Sequence, residues 1–114
     1  MNTCNACAPA IPDTISVAAS GFVDGSYPWE WYNDTMECLW DSGCAWSGLS
    51  GAQAKDVGVL WSGSEWEIWF LFSANWTVLT GGSTDPCDPR GTYTGCTSSE
   101  DGCAAGTPQA IVSY

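Results

Sequence analysis

The sequence predicts an all-β protein, an antiparallel β-sandwich of the jelly-roll or immunoglobulin-like type. Several short runs alternate apolar and polar residues, which is the period-2 pattern of half-buried strands. Gly, Asp, Asn and Pro separate these runs, and no run of useful length has apolar residues at helical spacing. A chain of 114 residues has the length of one domain. We therefore expect residues 1–114 to form a single sandwich.

The first two predicted strands differ in the size of their side chains. Residues 14–19, TISVAA, put Ile15, Val17 and Ala19 on one face. Residues 27–32, YPWEWY, put rings on one face of a second strand. Aromatic residues that share one face of a strand usually pack into the core, so we expect these rings to lie there. The rings are those of Tyr27, Trp29 and Trp31.

The middle of the chain predicts a hairpin. Residues 57–61, VGVLW, and 65–72, EWEIWFLF, are strand runs joined by the turn SGSE. In the second run one set of alternate residues is apolar throughout, which predicts the core-facing side. That set is Trp66, Ile68, Phe70 and Phe72.

The opposite face of the same run carries Trp69 and Leu71 between acidic residues. One strand cannot send both Phe70 and Trp69 into the same core, so this pair is predicted to be exposed. An exposed Trp–Leu pair marks a contact with another molecule. Trp69 and Leu71 are therefore the predicted interface residues.

The last third of the chain predicts a strand at 76–80 and short strands at 92–94 and 109–113. The segments GGSTDPCDPRG and SSEDGCAAGTP between them predict loops.

The charge excludes two classes of partner. Thirteen acidic residues face two basic ones, for a net charge of −11. Binding to nucleic acid or to an anionic membrane surface needs several basic residues, so we expect neither. Charged residues make up 13% of the chain, about half of the usual ~25%. Such a surface repels neighbours weakly and suits a protein within a larger assembly.

Catalytic residues are not evident. The chain has no His, which excludes a Ser-His-Asp arrangement and His-based acid–base chemistry. Glu65 and Glu67 share a strand face and could serve a small glycosidase, but a solvated strand face explains them far better. We expect a protein that is not an enzyme and that carries no cofactor.

Seven cysteines leave several pairings open. Disulfides are favoured, and Cys38 and Cys44, which flank a turn, are the pair that we predict to be bridged. Cys4 and Cys7 have the spacing of a metal knuckle, so a structural zinc is one alternative. Free thiols are the other, since an odd number of cysteines leaves at least one unpaired within a monomer unless it ligates a metal or bridges subunits. The remaining candidate ligands are Cys87, Cys96 and Cys103.

Three stretches, CNACAPAIPDTISVAASG, GSEWEIWFLF and PCDPRGTYTG, resemble a group of small Cys- and Trp-containing β-proteins from tailed-bacteriophage structural gene clusters. The resemblance spans most of the chain through short motifs, and it implies a head decoration protein or a tail accessory module. It supplies no catalytic residues. The residues that carry it are Cys4, Cys7, Pro12, Cys87, Asp88, Pro89, Gly91 and Tyr93.

The sequence thus favours a non-enzymatic virion structural protein. The first basic residue is Lys55, so the N-terminus lacks the charged region of a signal peptide. We expect synthesis in the host cytoplasm and later display on the particle surface, as a homo-oligomer or bound to a capsid or tail protein. The alternative is a carbohydrate-binding module that stacks Trp rings on sugars.

Overall fold

The computed structural model describes residues 12–23, 29–41, 45–48, 56–72, 74–99, 102–103 and 106–114. Nine antiparallel strands and a four-residue 3-10 helix, Trp29–Tyr32, make up the regular structure of these residues. No helix in this part of the chain has the length and apolar character needed to cross a membrane. The strands are β1 (Thr14–Phe22), β2 (Thr35–Asp41), β3 (Ala45–Gly48), β4 (Asp56–Trp61), β5 (Trp66–Phe72), β6 (Asn75–Thr80), β7 (Gly91–Tyr93), β8 (Gly95–Ser98) and β9 (Gly106–Ser113).

The strands form a sandwich, as the sequence predicts. Hydrogen bonds join them in the order β7-β9-β1-β2-β3-β4-β5-β6-β8, and this sheet folds over into two four-stranded layers. We call the strands at one end of this order, β7, β9, β1 and β2, layer 1, and those at the other end, β4, β5, β6 and β8, layer 2. Strand β3 lies between them in the order. Each strand from β1 to β5 pairs with the next one in the chain, a meander that differs from the strand order of jelly-roll and immunoglobulin domains.

One short segment connects the two free edges of the sheet. Strand β7 lies at the edge of layer 1 and β8 at the edge of layer 2, and only Thr94 separates them in the chain. The amide of Thr94 donates a hydrogen bond to the carbonyl of Thr80, 3.2 Å away. The described strands at these two edges are short, three residues in β7 and four in β8, which limits pairing with another chain.

The core contains the residues that alternation predicts. Ile15, Val17 and Ala19 of β1 are buried, and so are the inward side chains of β4 and β5. The side chain of Phe72 lies outside the described residues. The inward side chains of β4 and β5 are Val57, Val59, Trp66, Ile68 and Phe70.

The strand predicted at residues 27–32 is wrong. Residues 29–32 form the 3-10 helix, in which positions i and i+3 share a face. Trp29 and Tyr32 are therefore the buried pair, at 2% and 0% exposure, while Trp31 is half-buried. Asn33 then ends the segment, because its amide side chain exchanges hydrogen bonds with both backbone groups of Phe22. Tyr27 lies outside the described residues.

The predicted Cys38–Cys44 disulfide is also wrong, since Cys38 is a free, buried thiol in β2. The β2–β3 register explains this result. Cys38 lies opposite Gly48, whereas Ala45 lies opposite Asp41. Position 41 is three residues, or ~10 Å, along β2 from Cys38, which exceeds the reach of a disulfide. Cys44 itself lies outside the described residues.

The zinc hypothesis fails for three of its five ligands. Cys96 and Cys103 form a disulfide, and Cys87 is disulfide-bonded as well. A cysteine in a disulfide has no thiolate to offer a metal. The other two candidates, Cys4 and Cys7, lie outside the described residues.

Candidate functional site

An open cleft of about 570 Å³ lies between β1, β8 and β9. Its lining includes Ser20, Thr94, Gln109 and the Cys96–Cys103 disulfide, and it includes no charged side chain. Proton transfer and nucleophilic attack both need a titratable or activated group. The cleft therefore lacks the groups for such chemistry.

The outer surface of layer 2 carries large aromatic and aliphatic side chains. Alternation turns Leu60 of β4 outward, because Val59 and Val57 face the core. Strand β5 adds alternate residues from 67 to 71, and β6 adds residues 76 and 78. We call this surface the Trp69–Trp76 face. Its members are Leu60, Glu67, Trp69, Leu71, Trp76 and Val78.

Trp69 lies at the centre of this face, and its ring is fixed in orientation. The indole Nε1–H donates a hydrogen bond to Oε1 of Glu67 over 3.1 Å. The ring of Trp76 lies 5.6 Å away, centroid to centroid, and is tilted by 42°. On the β4 side the residue opposite Trp69 is Gly58, which has no side chain. Among the described residues, no side chain lies directly opposite the indole on this side, which we call its open flank.

Exposure varies across the face. Leu71 is 40% exposed, whereas Val78 is only 6% exposed although it also points outward. Val78 lies opposite Trp69 and two residues from Trp76, so the indoles shield it. Both indoles are themselves partly exposed. The face therefore combines a packed aromatic centre with an exposed aliphatic edge.

The charged side chains that the structure describes around the face are acidic. Glu67 contacts Trp69, Glu65 directly precedes β5, and Asp56 lies opposite Leu71. Of the residues that the structure describes, Arg90 is the one basic side chain, and it pairs with Asp88 in the β6–β7 loop. Among the described residues, the face therefore presents carboxylates without a basic partner beside its aromatic rings.

A buried tyrosine supports the Leu71 end of the face from inside the core. The hydroxyl of Tyr32 donates a hydrogen bond to the carbonyl of Leu71 and lies 3.4 Å from the carbonyl of Asp56. These two residues are register partners in β4 and β5. Burial, together with the Asp56 charge, raises the pKa of Tyr32 to about 12. Tyr32 therefore stays neutral and holds the ends of both strands.

The outer surface of layer 1 is different in character. Its central residues on β1 are Ser16 and Ala18, which lie opposite Ser113 and Ile111 of β9. Ile111 is 44% exposed and stands among small or polar neighbours. This surface therefore has isolated apolar side chains without an aromatic cluster, and it offers matched control positions for the Trp69–Trp76 face.

The sequence located part of this site. Trp69 and Leu71 lie together on the outer face of β5, and their docking role stays a prediction. Sequence reasoning missed Trp76, which contacts the ring of Trp69 from β6. Alternation within residues 76–80 was a usable signal, because it places Trp76 and Val78 on the same face.

The loop between β6 and β7 contains a second ring–carboxylate arrangement. Arg90 donates two hydrogen bonds of 2.9 Å to the carboxylate of Asp88, and its guanidinium stacks 4.3 Å from the ring centroid of Tyr114. Hydrogen bonds from Arg90 lower the pKa of Asp88 to about 2. Asp85 instead accepts a hydrogen bond from the amide of Cys87. These contacts give the loop acids a structural role.

No protein-family model, curated protein or solved structure matches this chain. The function is therefore argued from the chain's own geometry.

Proposed function

We propose that this chain is a non-enzymatic virion structural protein that docks on a tailed-phage particle, as a head decoration or tail accessory component. The Trp69–Trp76 face is the proposed docking surface. The observation that carries the proposal is a tilted Trp pair, with the exposed Leu71 beside it, on the outside of a closed sandwich.

The shape of the face supports a protein partner. Protein interfaces are anchored by a few clustered aromatic side chains within a polar rim, and Trp is enriched among the residues that dominate binding. Trp69 and Trp76 supply such a centre, and Glu67 and Asp56 supply part of the rim. The 42° tilt between the rings makes a bent surface, which suits an irregular protein surface better than a flat polysaccharide chain.

The rest of the chain supports an external particle setting. The Cys96–Cys103 disulfide is typical of a protein that reaches an oxidising medium. The low charge content suits close packing among neighbours. The resemblance to phage-cluster proteins points to the same setting.

Carbohydrate binding is the second candidate function, and Trp69 favours it. An indole with one open flank beside Gly58 can stack on a sugar ring, and Glu67 and Asp56 offer acceptors for sugar hydroxyls. In this case the chain would serve adhesion to a host surface.

Sedimentation of tagged variants with particles tests the proposal. In cultures that produce the chain, we expect wild-type protein in the particle band of a density gradient and Trp69→Ala mostly in the soluble fraction. Loss of a Trp anchor often costs ~2 kcal/mol or more, or about thirtyfold in affinity. The control Ile111→Ala removes a similarly exposed apolar side chain from layer 1 and should stay with particles.

Two outcomes would count against the proposal. Wild-type protein absent from the particle band would remove the virion role. Trp69→Ala that keeps its place in the band while it loses binding on a glycan array would make carbohydrate binding the leading function.

A further inference from the structure

Arg90 is bound within the protein by an aromatic ring and a carboxylate together. In the Asp88–Arg90–Tyr114 cluster the guanidinium stacks on an aromatic ring and binds a carboxylate through two nitrogens. The hydroxyl of Tyr114 also contacts Oδ1 of Asp88 at 3.3 Å. The cluster thus has three parts: a ring, a carboxylate that is hydrogen-bonded to the ring's own donor, and a guanidinium over the ring.

Trp69 and Glu67 repeat two of these three parts on the outer face of layer 2. The indole Nε1–H donates to Oε1 of Glu67 over 3.1 Å, just as the tyrosine hydroxyl contacts Asp88. Among the described residues none donates a hydrogen bond to Oε2 of Glu67. Gly58, directly opposite Trp69 in β4, adds no side chain to the open flank of the indole.

We propose that Trp69 and Glu67 form a subsite for an arginine side chain of the docked protein. The inference rests on the proposed function, and it names the chemistry of the partner. The guanidinium stacks on the open flank of the Trp69 indole and donates to the Glu67 carboxylate. Indole is the strongest cation–π acceptor among side chains, and a planar guanidinium stacks on it while it keeps its N–H groups in plane for a carboxylate.

Charge complementarity supports an arginine-bearing partner. Asp56 and Glu65 add negative charge around the subsite, and the whole chain carries a net charge of −11. A basic protein surface would be attracted by this field, whereas an acidic surface would be repelled. The partner is therefore expected to present arginine within an otherwise uncharged or basic patch.

NMR titration with short peptides tests the subsite directly. The probes are acetyl-Gly-Arg-Gly-amide, its lysine counterpart and the neutral citrulline isostere. The readout is the indole N–H resonance of Trp69, which is assigned as the signal missing from Trp69→Phe. We expect the arginine peptide to shift this resonance at millimolar concentrations, to bind at least ~5-fold more tightly than the citrulline peptide, and to weaken as salt rises.

A matched pair of variants tests whether the Glu67 carboxylate binds the arginine side chain. Glu67→Gln should weaken arginine-peptide binding at least ~5-fold, because it removes the charged acceptor and keeps the size of the side chain. Glu37→Gln, which removes one negative charge from layer 1, should leave binding unchanged within about twofold.

Three results would overturn the inference: equal shifts from the arginine and citrulline peptides, no shift of the Trp69 indole by any peptide, or equal binding by Glu67→Gln and wild type. These results differ from failure of the docking role. If particle binding depends on Trp69 but is indifferent to Glu67→Gln, the face docks without an arginine. If Trp69→Ala stays on particles, the docking role itself fails.

Discussion

The variant Tyr32→Phe tests whether the buried Tyr32 hydroxyl stabilises the Leu71 end of the Trp69–Trp76 face. The variant keeps the buried ring, which lies 5.0 Å from Phe70 and 6.1 Å from Phe22 between centroids, and removes only the hydroxyl. That hydroxyl donates to the carbonyl of Leu71 and lies near that of Asp56. A lost buried hydrogen bond that leaves a carbonyl unsatisfied costs ~1–2 kcal/mol. We expect unfolding in urea to shift to a lower midpoint by this amount, with an unchanged slope.

The pH dependence of the same variant gives a second, independent measurement. The pKa of Tyr32 is raised from its ordinary value of 10.0 to about 12 in the folded protein. Its contribution to stability is therefore complete below about pH 10 and is lost as the pH rises toward 12. The stability gap between wild type and Tyr32→Phe should narrow across this interval. Cys38 is present in both proteins, so its own titration cancels in the difference.

Equal stability of the two proteins at neutral pH, or a gap that stays constant from pH 8 to 12, would refute the role assigned to the Tyr32 hydroxyl. A second measurement separates this role from a general loss of packing. Amide hydrogen exchange at the Leu71 end of β5 should become faster in Tyr32→Phe than the loss of global stability explains. Amide hydrogen exchange in β1 should become faster only as much as the loss of global stability predicts.

Three further results are expected. Cys38 should resist Ellman's reagent in the folded protein and react after unfolding, because its side chain is fully buried and burial raises its pKa to about 12; a fast native reaction would contradict the structure. Trp29→Ala should cost ~3–5 kcal/mol in thermal or urea unfolding, and Trp31→Ala less than half of that, because Trp31 is half-buried; equal losses would restore the strand model of residues 27–32. Thr77→Val should raise stability by ~1 kcal/mol, since the buried hydroxyl of Thr77 has no hydrogen-bond partner among the described residues, and a lower melting temperature would reveal one.

Alternation predicted the strands whose inward residues are apolar and whose outward residues are polar or flank a charge. This holds for β1, β4 and β5, where burial follows the period-2 pattern. It failed at β2, because Leu39 is 42% exposed on the outer surface while Cys38 is buried. It failed at β8, where Thr97 pairs with Val78 and the pattern has no apolar side. Such strands are defined by their partners, which a local pattern does not contain.

The aromatic run at residues 29–32 failed for a related reason. Its spacing fits a strand as well as a 3-10 turn, and Asn33 decides between them by binding the backbone of Phe22, eleven residues earlier. The site was partly predictable because one strand cannot bury two adjacent large side chains. Its second ring, from Trp76, joins Trp69 only through the β5–β6 register. The carboxylate that orients Trp69 is local, two residues away on the same face.

The acidity of the face also decides between self-association and binding to another protein. A two-fold dimer through the Trp69–Trp76 face would bring Glu67 and Asp56 of one copy toward the same residues of the other, at a net charge of −11 for each chain. We therefore expect the isolated protein to be monomeric at low ionic strength and to associate, if at all, only in high salt, where the screening length falls from ~10 Å at 0.1 M to ~3 Å at 1 M. Sedimentation equilibrium in both buffers measures this. The contrary result is a dimer that forms at low salt, is lost in Trp69→Ala and persists in Ile111→Ala. It would show that two copies of the chain meet through this face. The acidic residues would then have to be paired or displaced within that interface.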